Sequence, residues 1–183
     1  MSSDCPEQAL FGMNHWHADK RLSTIALTPT KEQAVACPYF MPVKRLEEAL
    51  WIHPSRLPLG AGWQGVCGAP GHEGETPASE ELRDACNLGY AKSCPRLPQE
   101  RGCDAVRFAV AKDQGSQVLL NFAFEMAHRP AGYGTLAFDS VRNFWPSPHP
   151  DLKIQKLAEC FLESYRLRRN RPADSSLSTS VNA

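Results

Sequence analysis

The chain has 183 residues, enough for one domain of ordinary size or a smaller core with long irregular attachments, but not for two full domains. Twenty Lys plus Arg balance twenty Asp plus Glu, giving a formal net charge of zero; this argues against general nucleic-acid binding and against a polybasic membrane adaptor. Hydrophobic residues make up 42% and stand beside 15 Pro, 12 Gly and 7 Cys, and the last three types are concentrated in one stretch.

Residues 1–30 show neither a helical nor a strand period, and a flexible arm is expected there. Asp4 and Glu7 fall where a secretory leader needs basic and then apolar residues. No apolar run approaches the roughly 20 residues that cross a bilayer. A cytoplasmic location without membrane contact is therefore expected. In that compartment thiols stay reduced, so the odd cysteine count points away from a disulfide framework and towards metal binding, reactive thiols or packing.

Residues 31–103 form the Cys-rich segment. Cys37, Cys67, Cys86, Cys94 and Cys103 lie in it with eight of the prolines and eight of the glycines. Six glycines among residues 59–74 predict a long loop, neither helix nor strand. Two short helices are expected, one from Val43 to Trp51 and one opening at Thr76-Pro77 and closing at Gly89. The second puts Leu82 and Cys86 on one face.

The intervals separating Cys37, Cys67, Cys86 and Cys94 are 29, 18 and 7 residues. None has the two-to-four-residue spacing of a structural zinc knuckle. Iron–sulfur clusters accept thiolates from separate loops, and Cys37-Pro38 and Cys94-Pro95 echo the Cys-Pro ending of one ferredoxin run. Proline after a ligand keeps the chain from coiling over the cluster. These four cysteines are the expected ligands of one [4Fe-4S] cluster, with Cys103 and His72 in reserve, and the expected work is electron transfer, with a protein redox partner, or structural and redox sensing. The alternative is a zinc-stabilised or metal-free interaction module; a weaker one is a thiol enzyme using Cys67 with His72 five residues on. Tyr39, Phe40, Trp51, Trp63 and Tyr90 are expected to supply apolar cover. No other catalytic constellation is evident.

Residues 104–171 read as regular structure. Val106, Phe108 and Val110 alternate with smaller or polar residues; Val118, Leu120, Phe122, Phe124 and Met126 do the same after a turn at Asp113-Gln114-Gly115, predicting a β-hairpin. A loop over 128–134 and a third strand over 135–139 follow, with His128 and Tyr133 as a candidate pocket. A helix capped by Asp151 runs to about Arg168, with Ile154, Leu157, Ala158, Phe161 and Tyr165 on its inner face and Arg166, Arg168, Arg169 and Arg171 at its end. Residues 172–183 are expected to be a disordered tail. The fold class is α+β: an irregular metal-organised segment, a three-stranded antiparallel meander and a C-terminal helix.

Overall fold

The computed structural model describes residues 35–47, 56–88 and 94–170. The expected N-terminal arm and C-terminal tail, along with Trp51 and Tyr90, lie outside them. The architecture is α+β, with β1 (Phe40–Arg45) and β2 (Trp63–Cys67) forming an antiparallel pair. A helical segment follows, with α1 at Ser79–Glu81 continuing as a π-helix over Leu82–Asn87. The strands β3 (Ala105–Asp113), β4 (Gln117–Met126) and β5 (Arg129–Asp139) form an antiparallel sheet in that order, and α2 (Leu152–Arg169) closes the chain.

The meander matches its alternation. Val106 pairs with Phe124, Phe108 with Phe122 and Val110 with Leu120 across β3 and β4. At the connecting turn Gly115 adopts φ 80 and gives its N–H to the Asp113 carboxylate at 2.8 Å, as a tight turn needs. The third strand is longer than expected, starting at Arg129. The expected loop is absent because Ala127 and His128 both take positive φ, 48 and 64, the geometry of a two-residue hairpin turn normally signalled by Asn-Gly. Pro130 fits because β5 is a sheet edge, where a missing N–H leaves no ladder bond unmade.

One face of this sheet packs under α2. Ile154, Leu157, Ala158 and Leu162 join Val106, Phe108, Val118, Leu120, Leu136 and Phe138 in a single buried cluster, with Phe161 and Tyr165 partly buried at its margin. Asp151 caps α2, accepting from the N–H of Lys153 at 2.7 Å.

The Cys-rich segment shares that core through Tyr39, Phe40, Leu59 and Trp63. Two expectations for it fail. Val43–Arg45 belong to β1 and not to a helix; the remaining part of that prediction, from residue 48 onward, lies outside the described residues. The Gly-rich stretch contains a strand, because Gly65 lies opposite Pro42, and a Cβ there would collide with Met41 O and the Phe40 ring. Strand propensity yields to the close approach of two chains. A bulge at Val43 accommodates the proline beside it.

The arginines at the end of α2 are held in contacts. Arg168 donates to Gly60 O at 2.8 Å, Arg166 lies over the Phe138 ring 5.4 Å from its centroid, and Arg169 pairs with Asp113. Asp113 also accepts the Tyr165 hydroxyl at 2.8 Å. Its carboxyl titrates below the ordinary aspartate range, chiefly through the Gly115 N–H and next through Tyr165. A depressed folded-state pKa contributes stability above the unfolded value, and that contribution is lost as pH falls through the folded one. Asp113→Asn should therefore lower the melting temperature at neutral pH and narrow its gap from wild type below about pH 4, measured by circular dichroism across a pH series.

Candidate functional site

Four cysteines from four separate segments line one cavity. Cys37, Cys67, Cys86 and Cys94 face it, with Tyr39, Phe40, Ala69, Pro77, Ala85 and Leu97 as apolar wall and Glu81 and Arg96 as its charged members. All four thiols are free. Cys37 and Cys67 are buried and Cys86 and Cys94 half-buried.

Backbone pairing brings the first two together. Ala36 exchanges N–H···O bonds with Val106, 2.7 and 2.9 Å long, which pins the chain before Cys37 to the edge of β3. Phe40 lies opposite Cys67 in the β1–β2 ladder, and the Gly68 N–H donates to Tyr39 O at 2.7 Å. Residues 68–74 then make an excursion closed at its base, where Cys67 N–H donates to Glu75 O and Gly74 N–H to Cys67 O, each 2.8 Å. The Gly-rich composition serves this loop: Gly71 and Gly74 both sit at positive φ.

Cys86 is placed by its neighbour Asn87, a buried amide on the π-helix. Asn87 Oδ1 accepts from Trp63 N–H at 2.8 Å, while Nδ2 donates to Trp63 O at 2.8 Å and Leu82 O at 2.9 Å. One side chain thus fastens the helix to β2. The π winding, in which Leu88 N–H reaches back to Arg83 O, inserts an extra residue per turn. The helix starts after Ala78, two residues later than Thr76 predicts, with Glu81 accepting the Ala78 N–H at 2.9 Å.

Cys94 is placed by Arg96, whose guanidinium donates to Glu81 Oε2 at 3.0 Å and to Glu75 Oε2 at 2.8 Å. Sequence reading missed both Asn87 and Arg96. A lone buried Asn has no sequence signature, and an Arg two residues beyond a Cys reads as ordinary surface charge.

Two of the sulfurs have backbone donors. Ala69 N–H points at Cys67 Sγ, 3.4 Å away, and the backbone N–H groups of Tyr39 and Phe40 hydrogen-bond the Cys37 sulfur. Burial nevertheless pushes the Cys37 thiol up to about 12, and raises that of Cys86 as well. Both are protonated at neutral pH, so neither is an activated nucleophile. The Tyr39 hydroxyl is the one orphaned side-chain polar atom on a wall residue among those described.

The gap bounded by these walls is narrow, about 10 Å³, near what one water centre occupies. Among the described residues, no three His, Cys, Asp or Glu side chains form a group that could hold a metal ion. The two reserve ligands are elsewhere. Cys103 is fully buried and disulfide-bonded. His72 is on the excursion loop, its side chain 38% exposed and its Nδ1 3.0 Å from Glu75 Oε2. Cys160 is buried on α2 against the sheet core. Tyr133 is 89% exposed on the edge strand, so it does not wall a pocket with His128.

Asn87→Ala removes three hydrogen bonds and strands the Trp63 N–H and C=O. Each unsatisfied buried group costs about 1–3 kcal/mol, so the variant should lose roughly 2–4 kcal/mol in urea unfolding and expose Cys86 to a thiol reagent faster than wild type. No protein-family model matches the chain, nor does any curated protein or solved structure, so its chemistry is read from the site itself.

Proposed function

We propose that the protein binds one [4Fe-4S] cluster through Cys37, Cys67, Cys86 and Cys94 and acts in electron transfer or as a structural and redox-sensing centre. The observation that carries this reading is the convergence of four free thiols, far apart in sequence, on one cavity with mostly apolar walls. Packing alone is a poor account of it. A thiol is a small hydrophobe, but four from separate segments require special devices to bring them together, and those devices are present.

The residue type suits the group, although as placed no three of these side chains form a metal-holding set. Cluster sulfurs carry negative charge and are stabilised by N–H donors; Cys67 has one such donor and Cys37 two. The Tyr39 hydroxyl is a further donor in want of an acceptor. Four thiolate ligands leave no open iron, which favours electron storage and passage over substrate activation. Seating a cluster requires the narrow gap to widen. Cys86 and Cys94 are the carriers with solvent on their outer side, and the movement falls to them.

The alternative class is a zinc-stabilised or metal-free interaction module, and the narrowness of the gap is the observation that favours it. Anaerobic purification, followed by iron, sulfide and zinc assays, separates the readings. Four irons and four sulfides per chain, with broad absorbance near about 400 nm, are expected. A colourless iron-free protein overturns the cluster, and stoichiometric zinc establishes the alternative. Cys86→Ser and Cys94→Ser should each lose metal and sensitise residues 37–103 to protease, because ligand binding and folding are coupled; undiminished protease resistance in both would exclude a structural metal of either kind.

A further inference from the structure

We infer that the groove between the C-terminal half of α2 and the segment 138–145 is a binding site for a small arylalkyl amine, taken up as its ammonium cation; it shares no lining residue with the cysteine cavity and does not depend on the cluster reading. The groove encloses about 400 Å³, within the roughly 300–1,000 Å³ of small-molecule sites. Its apolar side is Phe138, Trp145, Leu162 and Leu167. Phe138 and Leu162 belong to the buried core, and the Trp145 ring leans on Phe138 with centroids 5.1 Å apart and planes at 60°. The turn that carries Asn143 into the lining is preformed. Asp139 and Phe144 exchange N–H···O bonds of 2.9 and 3.2 Å, and Asp139 Oδ1 accepts the N–H groups of Val141 and Arg142, each at 2.9 Å. A flat apolar body can therefore lie against Trp145 with little ordering of the chain.

The charge of the lining selects the rest of the ligand. Glu159, Glu163 and Arg166 are its ionised members. Glu159 is satisfied, accepting from Gln155 Nε2 at 3.2 Å and from Lys156 Nζ at 3.0 Å. Arg166 lies over the Phe138 ring and gives Nη1 to Asn143 Oδ1 at 3.2 Å. Glu163, one turn beyond Glu159, makes no hydrogen bond or ion pair with any described residue. The other described arginines of the last turn are committed elsewhere, Arg168 to Gly60 O and Arg169 to Asp113. Asn170, the C-cap of α2, also lines the groove, so the rim stands at the negative end of an 18-residue helix. Among the described residues Glu163 is thus a carboxylate with no cation committed to it. An ammonium group supplies that cation, and the aromatic ring it carries meets Trp145. An anion would find one guanidinium, already committed, against two carboxylates.

The test is a titration of the full chain with tryptamine and with indolepropionate, its carboxylate counterpart of similar shape. The readout is the Trp145 indole N–H in nitrogen–proton correlation spectra, a signal identified by its loss in Trp145→Phe. Tryptamine should saturate that signal with a Kd below about 1 mM, and indolepropionate should bind at least about tenfold more weakly. Glu163→Gln, at an exposed position, should weaken tryptamine by about fivefold, the worth of one solvent-facing ion pair, and leave indolepropionate no weaker. Leu167 is 47% exposed, so Leu167→Lys keeps the fold and brings a competing cation to the rim; it should weaken tryptamine and strengthen indolepropionate. No saturation by tryptamine, equal affinity for the two probes, preference for the carboxylate, or tryptamine affinity unchanged in Glu163→Gln would each overturn the inference. The iron and sulfide content of the protein bears on none of these outcomes.

Discussion

The Cys-rich half depends on one side chain closing a gap that secondary structure leaves open. Strand β2 has a partner on one edge only, and its backbone at Trp63 must find hydrogen bonds inside the protein. Asn87 supplies both of them, mimicking an adjacent strand with a carboxamide. Because Cys86 precedes it directly, the bond that satisfies β2 also fixes where that thiol goes. The π winding is the local consequence, since Asn87 must meet Trp63 and Leu82 O at once. Helical irregularities of this kind cluster at functional positions, and here the cause is visible in named bonds.

Charge is used in the same economical way. The chain is neutral overall, and many of its described arginines tie one segment to another. Arg168 fastens the loop at Gly60 to α2, Arg169 fastens the β3–β4 turn, and Arg96 joins the segments that carry Cys67, Cys86 and Cys94. Exposed ion pairs contribute little to stability, but the carboxylates of Asp113 and Glu81 are partly shielded. At the end of α2, Arg166, Arg168 and Arg169 all act as tethers.

The regular half of the fold was legible because its information is local. Alternation from Val106 to Met126, a glycine turn and a capped helical period each declare themselves within about ten residues. Where reading failed, the cause was non-local. Residues 128–134 contain proline and two glycines and look like a loop, yet pairing with β4 makes them a strand. Residues 59–74 look too glycine-rich for a strand, yet 63–67 form one, and contact with β1 selects glycine at position 65. The same contrast applies to the site. Residue type and spacing singled out Cys37, Cys67, Cys86 and Cys94 as one set, and the fold brings that set to one cavity. Asn87 and Arg96 act through partners 15 to 24 residues away, and no window of sequence contains such a bond.

The cavity is asymmetric in what holds its walls. Cys37 and Cys67 are buried and rooted in backbone ladders, one of them tied to the main sheet through Ala36 and Val106. Cys86 and Cys94 are half-buried and held by side chains. One pair is thus fixed by main-chain bonds and the other by single side chains, Asn87 and Arg96. The half-buried side is the one near Cys86 and Cys94. That side also carries Arg96, Glu75 and Glu81. The outer thiols are thus held at a charged margin and the inner ones among backbone bonds, and the difference follows from which segments reach a strand ladder.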